Sequence, residues 1–415
     1  MLLRLALASL AERWITAGLT ILATALSVAL FLGVEKVRTG AKASFAGSVA
    51  GVDLVMGARS GSVQLLLYSV FRIGNATNNV TWESYQDIAA RPEIDWIVPI
   101  SLGDSHRGFR VMGTRADFFE HYKYRGGRDL AFADGRAFDA LFDAVVGADV
   151  ARALGYETGQ EIVVAHGVAS FVEHDDKPFT VVGILEKTGT PVDRTVFVSL
   201  EAIEAIHIDW EGGGRSRETI SAEEVLQMQL EPKAVTAALI GVKSRLQVFA
   251  LQRSINQYPE EPLLAVLPGV ALQELWEIVG VAETALAGVG GMVVVTALLG
   301  MATMILASLN ERRREMAILR AVGARPRTIL ALLMVEAAVL SLAAAALGLA
   351  LLYVAIAVLQ PFVDTAYGLY LPITPPTSRE LWILGAIVAA GTLVSVFPAI
   401  RAYRMSLADG MTVTR

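Results

Sequence analysis

The chain has 415 residues, of which 54% are hydrophobic and 18% charged, a share below the roughly 25% usual in soluble domains. It contains no cysteine, which excludes disulfides and Cys-ligated metals, and its net charge of −6 is an average that says little about any one compartment. The apolar residues are concentrated in four runs, each close to or above the ~20 residues a spanning helix requires.

Residues 1–14 form an amphipathic lead-in carrying Arg4 and Arg13, and residues 15–34 are the first span. The length of that run favours a retained anchor over a cleaved signal peptide, as does the lack of a clear small-x-small cleavage site. Residues 35–277 are too long for a loop and are expected to form a large α+β extracytoplasmic domain. Its ends, "EKVRTGAKASF" and "VALQELWEIVGVAE", read either as helical stalks continuing the spans or as helix ends fraying into the headgroups.

Within this domain Val, Ile and Phe runs bounded by turn residues predict strands. They include Ile97–Ile100, "FRVMGTR", "AVVGADVARALGY" (strand then helix), "RTVFVSL", "AVTAALIGV" and "PLLAVLPG". A β-rich lobe is expected near residues 144–200, and residues 210–224 ("WEGGGRSRETISAEE") read as a flexible connection. The run Gln64–Phe71 is unusually apolar for a domain facing water, so Leu66, Leu67 and Phe71 are candidates for lipid or partner contact, with an ordinary core element as the alternative.

His174, Asp175 and Asp176, with His207 and Asp209, invite a metal reading. The first three sit at a turn position that favours Asp, and no His-x-x-x-His or Glu-x-x-His pair accompanies them, so a turn without a metal is expected. No nucleophile elbow and no Walker A motif is present, and a membrane enzyme is poorly supported. The Asn75 and Asn79 tripeptides match the glycosylation pattern but carry no weight.

Three more spans follow at residues 278–309, 328–359 and 381–399. Arginines cluster before the first span, between the second and third, and in the tail 400–415, whereas the loop 360–380 holds only Arg379. Both termini are therefore expected in the cytoplasm and the large domain outside. Glu336, inside the third span, reads as a polar contact near the cytoplasmic end rather than a proton relay, which would need companions.

The loop 310–327 holds six arginines and two glutamates. At about 100° per residue, Glu311, Glu315, Ile318, Leu319 and Val322 share one helical face, with Arg313, Arg314 and Arg320 elsewhere. Gly323 supplies a helix stop and Pro326 suits the first turn of the next helix. A positive-inside anchor needs arginines alone. Glutamates sharing a face with apolar residues suit docking into a groove of a cytoplasmic protein.

That loop, "ERRREMAILRAVGARPRTILALLMVEA", together with "LSLAAAALGLALL" and "FPAIRAYRMSLADGM", resembles the permeases of the FtsX, lipoprotein-release (LolC/LolE-like) and MacB family. "VVGADVARALGYETGQEIVV" and "FTVVGILEKTGTPVDRTVFVSL" resemble its MacB-type periplasmic domain, and the order of one span, large domain and three spans agrees. The resemblance implies a bacterial inner-membrane ABC permease that moves or extracts a peptide, lipoprotein, lipid or drug-like substrate by mechanotransmission. It implies a cytoplasmic ATPase dimer holding ATP and Mg, a second permease copy (a homodimer before a heterodimer), lipid contact, and a periplasmic adaptor or substrate-binding protein. No cofactor in this chain and no nucleic acid are expected. Because the chain starts almost at the membrane, the ATPase is expected to be another polypeptide. The ATPase-coupling residues would be Glu311, Arg312, Arg313, Arg314, Glu315, Ile318, Leu319, Arg320, Val322 and Gly323. The alternative is a transmembrane signalling or scaffold protein that activates a periplasmic partner such as a cell-wall hydrolase.

Overall fold

The computed structural model describes residues 2–167, 174–211, 214–215, 220–311, 318, 320–367 and 373–404. Among them, four helices are long and apolar enough to cross a membrane: Trp14–Gly47, Pro268–Leu309, Pro326–Val363 and Ser378–Ile400. The chain divides into a membrane unit (Met1–Gly40, Gly280–Pro361, Leu371–Arg415) and an extramembrane unit (Ala41–Val279, Phe362–Tyr370).

In the membrane unit, α1 (Leu2–Glu12) precedes α2 (Trp14–Gly47), whose Ala17, Val28 and Leu32 share one buried cluster with Leu298, Met301, Leu333, Leu340 and Leu352 of the later spans. The first apolar run is thus packed as a span among spans, as a retained anchor requires. Small residues set its approach. A Cβ on Gly348 would lie 2.7 Å from the Ala25 carbonyl oxygen and 2.8 Å from Val28 Cβ, and one on Gly391 would lie 2.1 Å from Ser341 Oγ.

The extramembrane unit is built on one mixed ten-stranded sheet. In chain order its strands are β1 (Leu54–Ala58), β2 (Ile94–His106), β3 (Phe109–Thr114), β4 (Phe132–Gly135), β5 (Asp143–Val146), β6 (Glu161–Ile162), β7 (Phe179–Leu185), β8 (Thr195–Ser199), β9 (Ala237–Val242) and β10 (Leu263–Val266). Their order across the sheet is β10-β1-β9-β2-β3-β8-β5-β7-β4, with β6 beside β7. The segment near residues 144–200, expected to be β-rich, supplies β5 to β8 of this sheet. Its strands continue the main sheet through β8, which pairs in parallel with β3 from Thr195↔Arg110 to Ser199↔Thr114.

Period-two alternation feeds both faces of this sheet. Phe197 enters one core with Val98, Met112 and Phe118, while its neighbours Val196 and Val198 enter another with Val111 and Val181. Helices cover the faces where their apolar residues recur at helical spacing: in α7 (Val248–Asn256) these are Val248, Leu251 and Ile255. The longer helices between α2 and α7 are α3 (Ser62–Ser69), α4 (Trp82–Ala89), α5 (Ala148–Leu154) and α6 (Leu200–His207), beside single turns at Phe118–His121 and Ala222–Val225. The strand-then-helix reading of "AVVGADVARALGY" becomes β5 and α5, closed by Gly155 in the left-handed region at φ 69°.

Two long helices carry the chain into and out of residues 41–279 of the extramembrane unit. One is α2; the other is α8 (Pro268–Glu311). Both run unbroken, so the stalk segments read from sequence are helical continuations of spans rather than frayed ends. The remaining helices are α9 (Pro326–Tyr367), α10 (Ser378–Val394) and α11 (Val396–Arg404).

Candidate functional site

The loop between the second and third spans ends as its sequence predicts. Val322 N–H bonds to the Ile318 carbonyl at 3.0 Å and Gly323 N–H to that of Arg320 at 3.0 Å, continuing a helical turn. Gly323 then adopts φ 99°, a conformation that costs glycine little, and Pro326 opens α9. Ile318 is 54% and Val322 84% exposed, whereas Arg320 is half-buried. Apolar side chains left bare beside a charged loop are what a docking face would present. Glu311 ends α8, and Arg312, Arg313, Arg314, Glu315 and Leu319 lie outside the described residues.

Inside the membrane unit, buried charge is found where helices meet. Glu336 is 2% exposed and its Oε2 lies 3.8 Å from the Arg13 guanidinium, which also donates to Ser9 Oγ at 3.0 Å. Lys36, just past the apolar run of the first span, sits 3.3 Å from Glu380 and donates to Thr374 Oγ1 at 3.2 Å. Glu380 is also the third residue of a capping box: it accepts from Thr377 N–H at 2.9 Å and donates its own N–H to Thr377 Oγ1 at 3.3 Å. Around this pair, Glu35 binds Arg38 and Arg379, each at 3.0 Å, and Arg38 reaches Glu283 at 3.7 Å. A single helical turn, residues 35–38, thus ties the first span to the second and fourth. Sequence reasoning missed Lys36 and Glu380, which stand immediately outside apolar runs where a charge looks ordinary.

Beyond the membrane unit the same two helices touch again. The Phe45 ring lies 5.5 Å from Trp276 at an edge-on angle, and Lys42 Nζ sits 5.3 Å over the Trp276 ring.

The run Gln64–Phe71 is a core element, which corrects the lipid- or partner-contact candidacy of Leu66, Leu67 and Phe71. Leu66 is 0% and Phe71 7% exposed, and Leu67 packs partly buried against the same core. Helix α3 lies so close on β1 that a Cβ on Gly57 would come within 2.6 Å of Leu65 Cδ1. Its apolar residues face the sheet, not the surroundings. Beside it, Ser44, Phe45, Phe71, Arg72, Phe109 and Arg110 line an open cleft of about 330 Å³. Arg72 there holds φ 61°, and burial lowers its pKa to about 10.

The segment His174–Lys177 is a turn, closed by Lys177 N–H to the His174 carbonyl at 3.2 Å. Lys177, fully buried, holds Asp209 and Asp176 at 3.0 Å each. Two residues the sequence reading did not single out come in instead: Asp104 and His166 join His174 and His207, and one donor atom from each lies within 4.8 Å of the others. Burial, with the neighbouring His207, lowers the pKa of His174 to about 4.

Two family models match the chain: the MacB-like periplasmic core domain over residues 17–257, and the FtsX-like permease C-terminal over residues 287–407. The Pyoverdine export ATP-binding/permease protein PvdT of Pseudomonas syringae pv. tomato is 23% identical over 357 residues, which are 80% of this chain and 48% of that protein. The chain thus spans about half the length of that relative. Among solved structures, the periplasmic region of MacB from Actinobacillus actinomycetemcomitans is 10% identical with a TM-score of 0.34, covering 56% of this chain and 97% of that one. The extracellular domain of the noncanonic ABC-type transporter YknZ from Gram-positive bacteria is 11% identical with a TM-score of 0.31, covering 52% and 99%. With both halves matched, one model covering more than half of its length, the chain belongs to the ABC transporter permeases of the FtsX and MacB family.

Proposed function

We propose that the chain is the membrane subunit of an ATP-driven transporter in the bacterial inner membrane, with cytoplasmic termini and a periplasmic MacB-like domain. ATP and Mg are held by a cytoplasmic ATPase dimer that docks on the loop around Ile318 and Val322. Two permease copies, most simply identical, form the assembly. Movement at the loop passes along α2 and α8 to the periplasmic domain, which acts on a peptide, lipoprotein, lipid or drug-like substrate, with a periplasmic adaptor or binding protein as a further partner.

The observation that carries this reading is the continuity of α2 and α8. Each is helical from within the membrane unit into the extramembrane unit, and they are tied by Arg38–Glu283 in the first and Phe45–Trp276 in the second. An unbroken helix transmits a displacement without absorbing it in a loop. A scaffold that only holds a partner in place has no need of such a pair.

The test is ATP turnover by the reconstituted permease with its ATPase. Ile318→Asp and Val322→Asp place a charge on the exposed apolar face and are expected to cut coupled turnover at least tenfold, about 1.4 kcal/mol of lost coupling, while insertion and dimerisation are retained. Unchanged turnover in both variants, with the ATPase still bound, would exclude this face as the coupling element. Full ATPase coupling without movement of any cargo would favour activation of a periplasmic hydrolase instead.

A further inference from the structure

Four side chains from separate elements converge at one edge of the extramembrane sheet. Asp104 sits in β2 at a register shift: Leu102 pairs with Met112 but Ser105 pairs with Arg110, so an extra residue is accommodated there. Such a bulge turns a side chain away from the regular alternation, and Asp104 is left 3% exposed beneath the cluster. Ser105 and Ala165 form a bridge with both backbone hydrogen bonds, at 2.9 and 2.8 Å, which fixes His166 next in the chain. His174 is held by its own N–H to the Val164 carbonyl at 2.9 Å. His207 ends α6, and its Nδ1 lies 2.8 Å from the Ile203 carbonyl.

The ring nitrogens face inward. His166 Nδ1 is 2.9 Å from His207 Nε2, and Asp104 Oδ1 is 3.3 Å from His207 Nε2 and 3.6 Å from His166 Nδ1. The His174 and His207 ring centroids are 5.2 Å apart with their planes nearly perpendicular, an arrangement that two imidazoles sharing a centre can adopt. Because a carbonyl oxygen can only accept, His207 Nδ1 carries a proton, and in the neutral ring Nε2 presents a lone pair. A backbone acceptor fixing the tautomer of a ligand histidine in this way is the usual support of a metal site.

The geometry points to a site for one divalent transition-metal ion of the zinc class, held by His166 Nδ1, His207 Nε2, one ring nitrogen of His174 and Asp104 Oδ1. Three imidazoles and one carboxylate make a four-coordinate set that zinc accepts, while calcium and magnesium take oxygen ligands. Tetrahedral zinc with bonds of about 2.0–2.1 Å separates its ligand atoms by about 3.3 Å, against the 2.9, 3.3 and 3.6 Å found among His166, His207 and Asp104, with a His174 ring nitrogen within 4.8 Å of them. The nearby carboxylates do not compete, because Lys177 holds Asp176 and Asp209. With His166 46% exposed at its side chain, the ion has an entry from solvent. Its effect would be to pin the His174 turn and the end of α6 to β2, in a domain that has no disulfide to do so.

The full-length chain, purified in detergent without a polyhistidine tag and stripped with a chelator, is titrated with zinc against a chromogenic competitor. Cobalt titration in parallel reads the coordination number from its visible absorption. One zinc per chain is expected, together with a tetrahedral cobalt spectrum and a rise in the thermal unfolding midpoint. His166→Gln and His207→Gln are each expected to weaken zinc binding at least 10–100-fold, the loss that even outer-shell changes cause at such sites. His166→Gln alters a half-exposed side chain and so keeps the fold, while Asp104→Asn retains the shape of the bulge residue. No zinc uptake by the folded wild-type chain overturns the assignment, as does zinc uptake that survives His166→Gln and His207→Gln together.

Discussion

Replacing Lys36 with methionine isolates the buried ion pair that joins the C-terminal part of the first span to the start of the fourth. The side chains of Lys36 and Glu380 are 9% and 3% exposed and 3.3 Å apart. Removing one partner of a buried pair costs about 3–5 kcal/mol, because the other charge is left uncompensated. Glu380 would keep its bond from Thr377 N–H at 2.9 Å, which places the expected loss near the lower bound, about 3 kcal/mol or roughly a hundredfold in the folding equilibrium. Glutamine at 380 preserves the capping oxygen and removes the charge. The double variant Lys36→Met/Glu380→Gln should therefore recover at least half of the loss, a non-additivity of about 1.5 kcal/mol or more. Reversible denaturation of the purified chain in mixed micelles measures all four members of the cycle. If the double variant is as unstable as the sum of the singles, the pair is not coupled and the argument from burial fails.

Two further predictions rest on close packing and on polar satisfaction. Gly348→Val should lower stability by about 1–3 kcal/mol, since its Cβ meets the Ala25 backbone at 2.7 Å and a carbonyl cannot rotate away; Gly300→Val, with nothing within 4 Å, is the control and should leave the thermal midpoint unchanged. Asp193→Ala removes the acceptor for Thr188 N–H at 2.8 Å, Thr188 Oγ1 at 2.8 Å and Gly189 N–H at 2.6 Å. About 3 kcal/mol of destabilisation is expected in urea unfolding, with Asp193→Asn recovering part of it through its remaining carbonyl oxygen.

The spans and the end of the charged loop were legible in the sequence because each depends on local signals, whereas the helical continuations stood there as one of two readings. A 20-residue apolar run reads the same wherever it packs, and Gly323 and Pro326 act on their own turn. Most strands were legible too, through alternation such as Phe179–Leu185, where every second residue is buried. What escaped was decided by long-range pairing. The parallel seam between β3 and β8 joins segments about 85 positions apart, and no local pattern distinguishes that from two sheets. Leu65–Leu67 were ambiguous because a helix lying on a sheet and one lying on a lipid surface need the same apolar face. Asp104 and His166 were invisible for a different reason. Their ligand partners come from a bulge, a bridge, a turn and a helix end, so no spacing motif records the cluster.

The strand order also dictates when the extramembrane domain can finish folding as it emerges from the membrane. Strand β1, at Leu54–Ala58, is flanked by β9 and β10, which end at Val242 and Val266. Strands β3, β5, β7 and β8 draw their partners from within Phe109–Ser199, apart from β2 immediately before them. Translocation therefore delivers a half-sheet that pairs early, while the first strand waits with two open edges for the last. Loop closure over such a span is slow, and exposed edges invite mispairing. A pause in export just before residue 263 would leave that first strand paired on one side only, so the vulnerable interval of this permease lies in its biogenesis, ahead of any transport cycle.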